Sequence, residues 1–170
     1  MHMVIVVMGV SGSGKSTLAR ALADAWGWDF QEGDELHPPA NIEKMQAGTA
    51  LDDDDRRPWL ERVAAWIAAE LDRSRDGVVT CSALKRRYRD RLRRVGAEVR
   101  FVRIELPPAE LERRLQLRRH FMPASLLDSQ LRALEIPDAA ENVLVVAGED
   151  TTEEIVAAIG CWLEQGDAAG

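Results

Sequence analysis

The feature that most constrains the fold lies at the start of the chain, where an apolar run, Val4-Ile5-Val6-Val7-Met8, passes directly into Gly9-Val10-Ser11-Gly12-Ser13-Gly14-Lys15-Ser16-Thr17. The run has strand length and does not alternate, which predicts a strand covered on both faces, as in a parallel sheet. The turn that follows fits G-x-x-x-x-G-K-[ST], the phosphate-binding P-loop. Its glycines let the backbone wrap closely around a phosphate chain and aim N–H groups inward. A helix predicted from about Lys15 to Trp26 adds the partial positive charge of its N-terminus. Gly9, Ser11, Gly12, Ser13, Gly14, Lys15, Ser16 and Thr17 are therefore the expected nucleotide-phosphate contacts. Lys15 is placed to reach the β- and γ-phosphates, and the Ser16 hydroxyl to ligate Mg²⁺. No N-K-x-D guanine-reading motif accompanies the loop.

Strand and helix patterns alternate along the rest of the chain. Further strands are expected at Trp28 to Gln31, Val78 to Cys81, Val99 to Leu106 and Val143 to Val146. Helices are expected from Pro38-Pro39 to Gln46, from near Pro58 through Leu71, and from Lys85 to Val95. Three more follow, from Pro107-Pro108 to Leu117, from Ser125 to Leu134, and after Thr151, whose spacing to Glu154 is that of a capping box. Leu60, Val63, Ala64, Ile67 and Leu71 recur at helical spacing and predict a buried stripe. The fold class is α/β: three α/β/α layers around a five-stranded parallel sheet. Ligands bind such sheets outside the carboxyl ends of the strands. No repeat or linker divides the chain, so residues 1–170 are expected to form one domain, with a short lid at about 118–130.

The net charge of −7 argues against a general nucleic-acid binder. Positive charge is nevertheless local, at Lys85 to Arg94 and at Arg113 to Arg119, as suits either a small anion or a solvated basic helix face. No apolar run reaches the roughly 20 residues of a membrane span, and the start lacks the pattern of a signal peptide. A cytoplasmic location is expected, with Cys81 and Cys161 reduced and structural.

The segments just after the strands hold the candidate acceptor site. Gly33-Asp34-Glu35-Leu36-His37-Pro38 follows the second strand. A kinase acting on a hydroxyl needs a carboxylate to orient it and accept its proton, and Asp34 fits that role, with a turn or N-cap role as the alternative. His37 is either a hydrogen-bonding partner of substrate or structural. Most of Asp52-Asp53-Asp54-Asp55 is expected to complement the dipole of the helix near Pro58, with Arg56 or Arg57 free to meet an anion. Lys85, Tyr88 and Arg89 are spaced i, i+3, i+4 and are expected on one helix face, where a positive cluster suits a carboxylate. Arg118-Arg119-His120-Phe121-Met122-Pro123 reads as a mobile lid or an interhelical loop; lid arginines stabilise charge on a transferring phosphoryl group.

Taken together, Gly9 to Thr17, Gly33 to Pro38, Asn41-Ile42-Glu43-Lys44-Met45, Leu51 to Leu60, Cys81 to Arg89, His120 to Pro123 and Leu126-Leu127-Asp128-Ser129-Gln130 resemble the gluconokinase family. The resemblance covers nearly the whole chain in order. It implies transfer of the γ-phosphoryl group of ATP to the 6-hydroxyl of D-gluconate with Mg²⁺, a nucleoside-kinase-like fold with a small lid, and often a homodimer. It implies Asp34 as the base, and His37, Arg56, Lys85, Arg89, His120 and Gln130 as substrate or phosphate contacts. Lys85 or Arg89 would anchor the gluconate carboxylate, and Arg118, Arg119 or Arg114 would reach the nucleotide. The chain departs from the family pattern in having Arg119, not glycine, before His120, and Leu131 where phenylalanine is usual. Other small-molecule kinases, of shikimate or of nucleotides, and an ATP-binding regulator without turnover are the competing expectations.

Overall fold

The computed structural model describes residues 1–117 and 125–168. Its strands are β1 (Val4–Met8), β2 (Asp29–Gln31), β3 (Gly77–Thr80), β4 (Val99–Glu105) and β5 (Leu144–Ala147). Its helices are α1 (Lys15–Trp26), α2 (Pro39–Gln46), α3 (Asp53–Asp72), α4 (Arg86–Arg93), α5 (Pro108–Leu117), α6 (Ser125–Ala133) and α7 (Thr152–Ala168). The strands form one sheet in the order β2-β3-β1-β4-β5, and every pairing is parallel. The expected fold class is the observed one. Among the described residues no helix is long and apolar enough to cross a membrane.

The lack of alternation in β1 has a direct structural cause. All five residues are fully buried, and they serve two cores. Val4, Val6 and Met8 pack with Trp59, Leu60, Val63, Ala64 and Ile67 of α3 and with Tyr88 and Leu92 of α4. Ile5 and Val7 face Leu18, Ala19 and Leu22 of α1 and Ile155 and Ile159 of α7. A third cluster caps the carboxyl end of the sheet. There Val10, Leu84 and Leu106 hold Leu111 and Leu115 of α5 and Leu127 of α6, and Leu131 packs against this group.

Helix α3 begins earlier than its sequence suggests. Asp52 is the N-cap: its side chain accepts from the Asp55 N–H, and the Asp55 carboxylate accepts in return from the Asp52 N–H. This reciprocal pairing satisfies two of the donors orphaned at a helix start. The expected start near Pro58 is therefore corrected to Asp53, and Pro58 sits inside the helix. The capping box expected at Thr151 and Glu154 is present.

Candidate active site

The P-loop leaves β1 through Gly9, Gly12 and Gly14, whose φ angles of 148°, 81° and 96° fall in the region that side chains disfavour. Lys15 Nζ donates to the carbonyls of Gly9 at 3.0 Å and Val10 at 2.9 Å. Gln130 of α6 reaches across to the loop. Its Oε1 accepts from the Ser11 N–H at 2.7 Å, and its Nε2 donates to Ser11 Oγ at 3.1 Å.

Asp34 is aimed by a glycine. A Cβ on Gly33 would lie 1.7 Å from the Thr80 carbonyl oxygen, so only glycine fits against β3. Gly33 N–H donates to Thr80 Oγ1 at 2.8 Å, and Trp59 Nε1 donates to the Gly33 carbonyl at 2.8 Å. The 3-10 turn Gly33–Leu36 is thus clamped between β3 and α3, and exposed Asp34 lines a cleft beside Lys15. No side-chain cap bond is made at the start of this turn or of α2.

The cleft is also lined by Ser11, His37, Arg56 and Gln130. His37 and Trp59 stack with ring centroids 4.2 Å apart. Burial, reinforced by the nearby Arg56 cation, pushes the His37 pKa down to about 4, so the ring is neutral at ordinary pH. Arg56 is buried, and its Nη1 donates to Tyr88 OH at 3.2 Å. Among the described residues it has no carboxylate partner. A second cavity, on the far side of the P-loop, is lined by Ser13, Gly14, Thr17, Arg114 and the turn Gly148–Thr152. Arg114 Nη2 donates to the Gly148 carbonyl at 3.3 Å. This places Gly148 beside the loop.

A family model described as an AAA domain matches residues 4–137. Gluconokinase of Gluconobacter oxydans is 53% identical over 146 residues, which span 85% of this chain and 82% of that protein. The chain belongs to the gluconokinase family. A solved gluconokinase from Sinorhizobium meliloti is 46% identical with a TM-score of 0.82, covering 91% of this chain and 87% of that one. A solved sugar kinase from Janibacter is 43% identical with a TM-score of 0.91, covering 96% and 95%.

As a member of the gluconokinase family, the chain brings Ser11, Lys15, Asp34, His37, Arg56 and Gln130 to one cleft. Arg118, Arg119 and His120 lie outside the described residues. Two expected contacts are placed elsewhere. Arg89 is fully buried. Its Nε and Nη2 donate to the two oxygens of Glu141, its Nη1 to the carbonyls of Ala83 and Leu84, and its Nη2 also to that of Glu135. Its guanidinium has five N–H donors, and all are used. This corrects the expectation that Arg89 meets substrate. Lys85 is the N-cap residue of α4, with extended backbone, and its Nζ bonds Asp53 at 3.1 Å outside the cleft lining. Tyr88 and Arg87 converge on the same Asp53 carboxylate. Lys85 and Tyr88 thus stay together on Asp53, and Arg89 alone turns away, to Glu141.

Glu32, which no motif singled out, touches the P-loop. Its carboxylate accepts from Ser16 Oγ at 2.5 Å and from Thr80 Oγ1 at 2.5 Å. Ser16, Glu32 and Thr80 form an all-oxygen group at the helix start, a donor set that suits Mg²⁺. The available signal was a carboxylate at the carboxyl end of β2, two residues before Asp34.

Proposed function

We propose that the protein transfers the γ-phosphoryl group of ATP to the 6-hydroxyl of D-gluconate, giving 6-phosphogluconate and ADP. The observation that carries this reading is the shared cleft of Lys15, Asp34 and Arg56. A P-loop cation, an open carboxylate and a buried guanidinium with no carboxylate partner among the described residues match phosphate, hydroxyl and carboxylate respectively. Family membership, with 53% identity to a gluconokinase, supports the choice of sugar acid.

In this reading Arg56, and not Lys85 or Arg89, anchors the gluconate carboxylate by charge-assisted hydrogen bonds. Asp34 orients the 6-hydroxyl and takes its proton as the hydroxyl oxygen bonds to the γ-phosphorus and the bond to the bridging oxygen of ADP breaks. Lys15 and the P-loop N–H groups offset charge on the phosphoryl oxygens. Ser16, with Glu32 beside it, would hold Mg²⁺, which supplies charge neutralisation at the β- and γ-phosphates. The cavity at Gly14, Arg114 and Gly148 takes the nucleoside. Most of the catalytic effect is positioning and fixed charge.

The test is ADP release from Mg-ATP with D-gluconate, shikimate, AMP or no acceptor, repeated with Asp34→Ala. Stimulation by gluconate alone, lost by well over tenfold in the variant, is expected. Stimulation by another acceptor, or by none in a chain that binds ATP, would overturn the assignment.

A further inference from the structure

One ring in the cleft carries more information than its position. Asn41 of α2 is buried, and its Nδ2 lies 2.8 Å from the Asp55 backbone carbonyl oxygen and 3.2 Å from His37 Nδ1. A carbonyl oxygen only accepts, so the end of the amide at Asp55 is the NH2 group. That group has two hydrogens. With one on Asp55, the other points at His37 Nδ1, which must then present its lone pair. In a neutral imidazole the proton is left on Nε2.

The support for this geometry runs through three elements. Lys44, also on α2, binds both oxygens of the Asp55 carboxylate at 2.9 Å, tying α2 to the first turn of α3. The capping box fixes that turn. Trp59, one turn further along α3, stacks on the His37 ring and holds the Gly33 carbonyl. The Asp55 carboxylate is turned to Lys44 and to the Asp52 N–H, and not to the ring. The charged groups that share the cleft with His37 are Arg56 of α3, Asp34 of the 3-10 turn and Lys15 of α1. Among the described residues His37 Nε2 has no protein partner.

We propose that Asn41 is a positioning residue that holds His37 as the neutral Nε2–H tautomer, so that the ring offers a hydrogen-bond donor to an oxygen of the acceptor substrate. This deepens the reading of the cleft as a gluconate site and rests on it for the identity of that oxygen. A hydroxyl receiving a hydrogen bond from His37 keeps its own proton free to donate to a carboxylate such as Asp34. The opposite tautomer would accept the hydroxyl proton and compete with Asp34 for it. A cationic ring would add charge next to Arg56. The Asn41 amide therefore sets the direction in which hydrogen bonds run across the cleft.

The test is long-range ¹H–¹⁵N correlation of the imidazole nitrogens in the full chain without substrate, with the His37 signals assigned by their loss in His37→Gln. An unprotonated Nδ1 and a protonated Nε2 at neutral pH are expected. A protonated Nδ1 would overturn the proposal. In folded Asn41→Ala the tautomer pattern should become mixed, and the gluconate KM should rise about tenfold, as loss of one hydrogen bond implies, with the ATP KM unchanged. An unchanged gluconate KM in that variant would remove the positioning role. Because the spectra are taken without substrate, they decide the tautomer even for a chain that turned over no gluconate.

Discussion

Arg89 and Glu141 form a bidentate ion pair in the protein interior, Nε to Oε1 at 2.8 Å and Nη2 to Oε2 at 2.9 Å, with both side chains almost wholly excluded from solvent. The pair joins α4 to the segment that follows α6, and Arg93 adds a third contact to Glu141 at 2.9 Å. The hydrogen bonds from Arg89 hold the Glu141 pKa down at about 2. Removing one partner leaves the other charge buried and unpaired, which costs about 3–5 kcal/mol. Arg89→Ala should therefore lower stability by that order in urea unfolding, while its folded fraction keeps a wild-type gluconate KM. A large rise in that KM with little loss of stability would return Arg89 to the substrate site.

Arg56 carries the opposite expectation. Its guanidinium is buried at the cleft with a tyrosine hydroxyl as its recorded partner, so it is positioned to gain from an incoming carboxylate. Loss of hydrogen bonds to a charged group costs about 1.5–3 kcal/mol. Arg56→Ala should raise the gluconate KM about 10- to 100-fold and leave the ATP KM near wild type. Arg56→Lys should recover only part of the loss, because a point charge cannot reproduce two parallel bonds. Tyr88→Phe should have a smaller effect than either. If steady-state kinetics show an unchanged gluconate KM in Arg56→Ala, another group anchors the acid.

The contrast between these two arginines marks how far the sequence could be read. The glycines, Lys15 and Ser16 lie within a few residues of each other, so spacing alone made the loop legible. The β1 run revealed its own two-sided burial because every residue in it is apolar. Arg89 meets a glutamate 52 positions away, and no local pattern encodes that pairing. The start of α3 was misplaced because proline favours the first turn of a helix, whereas Asp52 and Asp55 close a capping box ahead of Pro58. Lys85 was misjudged because its carboxylate partner, Asp53, lies 32 positions away at the start of α3. Glu32 was missed because its partners, Ser16 and Thr80, come from two other elements and meet only when β2 pairs with β3.

Glu32 links the P-loop serine to the sheet, and its value should show in the metal dependence of turnover. Partners behind a metal-bound oxygen typically contribute 10–100-fold in metal affinity. Glu32→Gln keeps the volume and removes the charge. The Mg²⁺ concentration for half-maximal rate should rise at least about tenfold, with the gluconate KM changed by less than about twofold. Chelation of Mg²⁺ should abolish turnover in both proteins. An identical Mg²⁺ titration for variant and wild type would reduce Glu32 to a structural acceptor for Ser16 and Thr80.

His37 should leave its mark on folding through pH. Its pKa is about 4 in the folded protein, against an ordinary value of 6.5. Above about pH 6.5 the ring is neutral in both states, and the stability that burial of the neutral ring permits is fully present. Between about pH 6.5 and 4 the unfolded chain binds a proton that the folded chain does not, so stability falls as pH falls. Below the folded value both states are protonated and the slope from this group ends. A shift of that size corresponds to on the order of 3 kcal/mol across the window. His37→Gln stays neutral throughout, so contributions from other titrating groups largely cancel when the two urea-unfolding series are subtracted. The wild type should lose its advantage over the variant as pH drops from 7.5 to 4.5. A pH-independent difference would mean that the His37 ring protonates in place, without the cost that its burial against Trp59 and beside Arg56 imposes.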